Sequence, residues 1–298
     1  MRKLNIKASS LKNFSVVALI LFIVLFMYAL ILCGSLGWGI MTSFKTKSDY
    51  FLNRLGFPQK WTFDNYSTAL KYLFLEKDTA KGLVRAYIFE MYGWSILYAI
   101  GGAFVQTAIT CLVAYVSAKF ECKFSTILYA FVVFTMSLHI VGALPSELQI
   151  ARTLGLYDSM LGMYFMKAHF LSVYFLVFFA AFKSLPASYF EAAEMDGAGH
   201  FQVLLRIAIP LIKNIFITIF LLFAIAYWND YQTPMLFLPS YPTVAYGIYY
   251  FSQKSQGPLS NVPAKLSGCM FLLIPMLVLF IAFNKRLLSS ISIGGLKE

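Results

Sequence analysis

The sequence predicts an all-α fold: a polytopic membrane protein with six transmembrane helices. Three observations predict it. Hydrophobic residues make up 60 % of the 298 and charged residues only 12 %, whereas soluble domains carry about a quarter charged. Six segments approach or exceed the roughly 20 mostly apolar residues that a helical span needs. In lipid every backbone amide must be bonded internally, so runs of this length fold as helices.

Taken in order, residues 1–13 form a basic N-terminal segment with Arg2, Lys3, Lys7 and Lys12. The apolar run Phe14–Ile40 that follows is far longer than the roughly 7–15 apolar residues of a secretory signal. Cys33 follows Leu32, where a lipoprotein cleavage site needs a small residue. The run is therefore read as a retained first span. The connection 41–91 is too long for a turn. Within it Trp61-Thr62-Phe63-Asp64-Asn65-Tyr66 reads as a strand or turn entering a short helix with Asp64 as N-cap. Tyr92–Ser117 and Phe124–Leu144 are the second and third spans. Leu161–Phe182 is the fourth, with Lys167 and His169 near its start, where a lysine reaches the headgroups by snorkelling. Leu211–Trp228 is the fifth, with Lys213 placed in the same way, and Leu266–Asn284 is the sixth. The six-helix domain thus covers 14–288, and 289–298 form a C-terminal tail. No internal repeat or appended soluble domain is visible.

The net charge of +11 comes from basic residues scattered over the polar connections, with no basic stripe or binding motif. That excludes nucleic acid as the expected partner and favours topology and contact with anionic membrane lipid. With both termini in the cytoplasm, 12 Lys/Arg lie inside and 12 outside, and eight of the latter sit in the 41–91 connection. Long external connections cross with less regard for charge. Setting that one aside supports the inward N-terminus and puts 183–210 in the cytoplasm.

Several chemistries are missing. There is no GxxxxGK[ST] loop for nucleotide phosphates, no HExxH and no GxSxG. Cys33, Cys111, Cys122 and Cys269 lack metal-site spacing and read as free thiols. His139, His169 and His200 are isolated. With few ionisable groups inside the spans, neither intramembrane catalysis nor proton coupling is expected. The chain is read as a non-enzyme with no metal and no cofactor of its own.

The polar island Lys183–Pro210 stands out among short connections. Ser188-x-x-Glu191 fits a capping box. Ala192, Ala193 and Glu194 favour helix, and Gly197 supplies a left-handed stop. Phe201, Leu204, Leu205 and Ala208 recur at helical spacing and predict a second helical piece. Pro210 then marks the entry to the fifth span. Small alanines would allow close approach of a partner, with Phe190 and Met195 filling pockets in it.

Glu191-Ala192-Ala193, Gly197 and Ile207-Ala208-Ile209-Pro210 resemble the EAA loop of permease subunits of ATP-binding cassette importers, EAA-x3-G-x9-I-x-L-P, with Ile209 where Leu is usual. Asp196 and Ala198 also match common family choices. The resemblance extends more loosely to Ser43-Phe44-Lys45, Trp61…Asn65-Tyr66 and Trp228-Asn229-Asp230, which look like those of carbohydrate permeases of the maltose type. Gly294-Gly295-Leu296-Lys297 departs from the usual ending, Gly-Ala-Val-Lys-Gly. The resemblance implies a type I importer fold. It implies a coupling helix in which Glu191, Ala192, Ala193, Asp196, Gly197, Ala198, Ile207 and Pro210 engage an ATPase, and a sugar path to which Trp228 and Asn229 contribute. It also implies a second homologous permease, two ATPase subunits that bind ATP and Mg, an extracytoplasmic solute-binding protein and a carbohydrate substrate, with the chain in the bacterial cytoplasmic membrane. The 41–91 connection is either a solvated loop or part of the binding-protein surface. Two rival readings are a secondary transporter, for which no inverted repeat, broken helix or buried ionisable residue is visible, and a membrane scaffold that uses the loop only for docking.

Overall fold

The computed structural model describes residues 16–79, 82–120, 123–138, 142–253 and 260–291. The expected His139, Cys122 and N-terminal segment lie outside them, as does 292–298 of the expected C-terminal tail, whose first residues instead continue the last helix to Ile291. Helix accounts for 77 % and strand for 4 %. The chain divides into two compact units, 1–69 with 255–270 and 70–254 with 271–298.

In the first unit, α1 (Val16–Ser43) is apolar on all sides. Its 18-residue apolar window buries nothing against its own chain, as suits a helix surrounded by lipid. Its C-terminal end is held by the motif residues that the sequence singles out. Asn65 donates its amide to the carbonyls of Ser43 and Lys45 at 2.8 and 2.7 Å. Ser43 and Tyr66 share a hydroxyl contact at 2.7 Å. The Phe44 ring lies against Trp61, Phe63 and Tyr66. Lys45 is fully buried, with Nζ donating to the carbonyls of Asn53 and Arg54 at 2.7 and 3.3 Å. The Ser-x-Lys and Trp…Asn-Tyr pattern is therefore chiefly a helix-terminating knot, with Trp61 left exposed. Two short helices follow α1 in the chain, α2 (Lys47–Leu52) and α3 (Asp64–Tyr72). Asp64 lies inside the first turn of α3 rather than capping it. The carbonyl of Phe63 receives the N–H of Ser67, and the Asp64 carboxylate accepts from Thr62.

The second unit opens with an antiparallel hairpin that the all-α reading does not include, β1 (Phe74–Thr79) and β2 (Gly82–Tyr87), in register Phe74↔Tyr87 to Thr79↔Gly82. The long helix α4 (Ile88–Lys119) follows. It contains a wide π turn at Leu97–Gly101, of the kind found at functional sites. Beyond it Ala103, Thr107, Thr110, Cys111, Ala114 and Ala118 are buried at helical spacing. Small residues let neighbouring backbones approach closely in a membrane core.

The remaining helices are α5 (Lys123–Ser137), α6 (Ala143–Thr153), α7 (Met160–Lys167), α8 (Val173–Lys183), α9 (Ser188–Met195), α10 (His200–Leu211), α11 (Lys213–Asn229), α12 (Gln232–Phe237), α13 (Val244–Gln253) and α14 (Val262–Ile291). The second, fifth and sixth expected spans match α4, α11 and α14. The fourth is corrected: it is broken at Ala168–Ser172 into α7 and α8. The third is also shorter than expected, since α5 has 15 residues, or roughly 22 Å. Among the described residues three helices are long and apolar enough to cross a membrane, or four counting the bent pair α10–α11.

The turn before α7 is tightly built. Ser159 accepts the Gly162 N–H at 3.3 Å, and a Cβ on Gly162 would lie 2.3 Å from the carbonyl oxygen of Leu156. Gly162→Ala is expected to destabilise the fold by about 1–3 kcal/mol. The thermal midpoint of the detergent-solubilised protein should fall; an unchanged midpoint would show that this turn relaxes freely.

Candidate functional site

The first candidate is the loop between α8 and α11. Helix α9 begins one residue earlier than the capping box predicts. The carbonyl of Ala187 accepts from the N–H groups of Phe190 and Glu191 at 2.9 and 3.0 Å, so Ala187 is the cap and Ser188 lies in the first turn. Glu191 in that turn complements the helix dipole. The helix ends as the sequence predicts. Gly197 has φ +76°, and the Ala198 N–H reaches back to the carbonyl of Ala193 at 2.9 Å, closing a Schellman-type end.

Two faces result. Glu191, Ala192, Met195, Asp196 and Gly197 are exposed, whereas Phe190 and Ala193 are buried against their own unit. Phe190 is thus corrected from a residue offered to a partner to one that seats the helix, and Ala193 faces inward with it. Ala198 and Ile207 are half-buried, and Pro210 is exposed.

Helix α10 also departs from its expected stripe. Val203, Leu204 and Ala208 are buried, but Phe201 and Leu205 are exposed. A π turn over Leu204–Ala208 shifts the phase of the faces. Pro210 cannot donate to the preceding turn, and the axis bends by 83° between α10 and α11. Lys213 is exposed at the start of α11, where the sequence places it.

The second candidate lies at the break between α7 and α8. Lys167 does not snorkel to the surface. Its side chain is 17 % exposed, with Nζ 3.9 Å from Asp230 Oδ2 and 4.6 Å from the Tyr227 ring centre. Asp230 also accepts from the hydroxyl of Tyr98 at 2.8 Å and from the Thr233 N–H at 3.0 Å. The Tyr227 hydroxyl donates to Gln106 Oε1. Gln106 Nε2 lies 3.1 Å from His169 Nε2, and His169 is exposed. A π turn, a helix break and the end of α11 therefore bring opposite charges and an amide together inside an apolar unit. Non-helical backbone at membrane depth persists where it is buried in protein or lines a cavity.

The two weaker expectations fare differently from their neighbour. Trp228 is buried, its indole N–H bonded to the carbonyl of Leu272 at 3.2 Å and its ring 6.1 Å from that of Tyr92. It packs the core. Asn229 is exposed but bonds back to the carbonyl of Ile225 at 2.8 Å. Asp230 and Gln106 carry the chemistry that sequence reasoning missed. The available signal was a lone lysine and a lone aspartate at the ends of two apolar runs, which in a membrane should be tried as a pair. Among the described residues no group of three or more potential metal ligands occurs.

Comparison with known proteins places this arrangement. Residues 111–292 match the family model of the binding-protein-dependent transport system inner membrane component. The chain is 24 % identical to the probable starch degradation products transport system permease protein AmyC of Thermoanaerobacterium thermosulfurigenes, over 87 % of this chain and 89 % of that one. It is 25 % identical to the melibiose/raffinose/stachyose import permease protein MelC of Bacillus subtilis, with the same coverage. In fold it resembles a chain of a bacterial ABC transporter involved in the import of the acidic polysaccharide alginate, with a TM-score of 0.73, 24 % identity, and coverage of 92 % of this chain and 98 % of that one. The matched segment holds the C-terminal end of α4, the broken fourth span, the loop with its left-handed glycine and the ion pair at Asp230, and the chain belongs to the family of binding-protein-dependent transport system inner membrane components.

Proposed function

We propose that this subunit carries a carbohydrate across the bacterial cytoplasmic membrane and takes its energy from ATP hydrolysed on separate subunits. The observation that carries the reading is the exposed face of α9. A short helix stopped by a left-handed glycine offers Glu191, Ala192, Met195 and Asp196 outward while Phe190 and Ala193 hold its back. A rigid, partly acidic ridge of this kind suits a cleft with a basic residue on an ATPase that binds ATP and Mg. The proposed assembly holds a second homologous permease, two such ATPase subunits and an extracytoplasmic binding protein. Both termini and the loop 183–210 lie in the cytoplasm.

The substrate class is taken from the relatives, whose names give starch degradation products and melibiose, raffinose and stachyose as their cargo. The exposed His169 beside Gln106 supplies hydrogen-bonding edges suited to hydroxyl-rich molecules. In the reconstituted complex Glu191→Ala is expected to lower substrate-stimulated ATP hydrolysis roughly tenfold, the order expected when a charge-assisted contact is lost, with the subunit still folded in the membrane. A panel of sugar-loaded binding proteins identifies the cargo by which member stimulates hydrolysis. Unchanged stimulated turnover in the variant would remove the role of Glu191. Stimulation by no sugar in the panel would remove the substrate class.

A further inference from the structure

Two consecutive residues at the end of α4 touch the two arms of the loop. Lys119 Nζ sits 4.0 Å from the centre of the Phe190 ring, on α9. The next residue, Phe120, meets the His200 ring edge-on at 5.3 Å, at the start of α10. Gly197 lies between the two arms. Phe190 is buried, yet a cavity of about 200 Å³ lined by Tyr115, Lys119, Phe182, Leu185 and Phe190 adjoins it. The ring therefore leans on the ammonium as well as on apolar packing. A cation over an aromatic face contributes more as water is excluded. Near its middle the same helix carries Gln106, in contact with Tyr227 and His169. The separation is about 20 Å at 1.5 Å per residue.

We propose that Lys119 and Phe120 form a two-armed clamp that fixes the loop to α4, so that α4 is the rod between the loop and the break at Ala168–Ser172. They are positioning residues: Lys119 governs α9 and Phe120 governs α10. The transmission half of this inference rests on the loop being the ATPase contact; the clamp itself does not.

The test uses the permease complex in lipid nanodiscs with the ATPase that co-purifies with it, read by hydrogen exchange. Lys119→Met should speed exchange of 189–196 by roughly two- to thirtyfold, the range that one cation–π contact supplies, and leave 200–203 unchanged. Phe120→Ala should do the reverse. Lys119→Arg and Phe190→Tyr keep a cation over a ring and should behave as the parent. Trapping with ATP and vanadate should change exchange at 168–172 in the parent and in Lys119→Arg, but not in Lys119→Met.

Equal loosening of both arms by either variant, or of neither, overturns the clamp. Failure of Arg to rescue does so too, and this arm remains readable if the Met variant folds poorly. A vanadate response that survives Lys119→Met overturns the rod. Failure of the underlying reading looks different: Gly197→Val would then leave ATPase capture intact, whatever the exchange pattern at Lys119.

Discussion

Gly197→Val is expected to abolish productive capture of the ATPase while leaving the membrane helices folded. Gly197 sits at φ +76°, a region that costs an ordinary L-residue about 1–2 kcal/mol and a β-branched one more. A Cβ at this position would meet nothing within 4 Å. The cost is therefore conformational and not steric, which makes the prediction specific. Asn, which visits this region more readily, should retain most of the capture, Ala less and Val least. The chain relieves the strain by unwinding the end of α9, which releases the Ala198 N–H from the carbonyl of Ala193 and lets the ridge turn. Pull-down of the ATPase with the solubilised permease gives the ranking. If Val captures as well as Gly, the outward ridge is not the contact.

The second large effect is expected at Asp230. Asp230→Ala removes the carboxylate from Lys167, Tyr98 and the Thr233 N–H together. It strands a mostly buried ammonium, and breaking one side of such a pair costs about 3 kcal/mol or more. Thermal unfolding of the solubilised protein should show a clear loss. Lys167→Met combined with Asp230→Ala should recover a good part of it, because no uncompensated charge remains. Sugar-dependent stimulation should stay low in the double variant if the pair also shapes the break beside His169. Full recovery of both properties would make the pair a folding device alone, and no loss in the single variant would mean that Lys167 escapes to water.

What the sequence made legible was local. The stop at Gly197 and the short helix before it depend on neighbours within a few residues, and both stand in the structure. The six apolar runs were visible because composition alone marks them. The break at Ala168–Ser172 was not, since Leu161–Phe182 is apolar on both sides of it and the interruption is held by Gln106 and Thr110 from another helix. Lys167 read as a snorkelling end residue because Asp230, its partner, lies far along the chain. The face of α9 could not be assigned from two turns that carry Tyr189, Phe190 and Met195 around the axis. The stripe through Phe201 and Leu205 failed because one wide turn at Leu204–Ala208 resets the angular phase, a change that no spacing rule of 3.6 anticipates. Of the loop residues named from the sequence, Glu191, Ala192, Asp196, Gly197 and Pro210 are exposed while Ala193 is buried, and Trp228 is buried where the neighbouring Asp230 holds the polar contacts.

The 83° bend after Pro210 has a mechanical consequence. Two helices joined nearly at right angles act as a crank. The twelve residues of His200–Leu211 give an arm of about 18 Å, so a turn of roughly 10° about the axis of Lys213–Asn229 would sweep the far tip sideways by about 3 Å. Torque applied at His200 is thereby converted into rotation of a shaft that ends beside the Asp230 carboxylate.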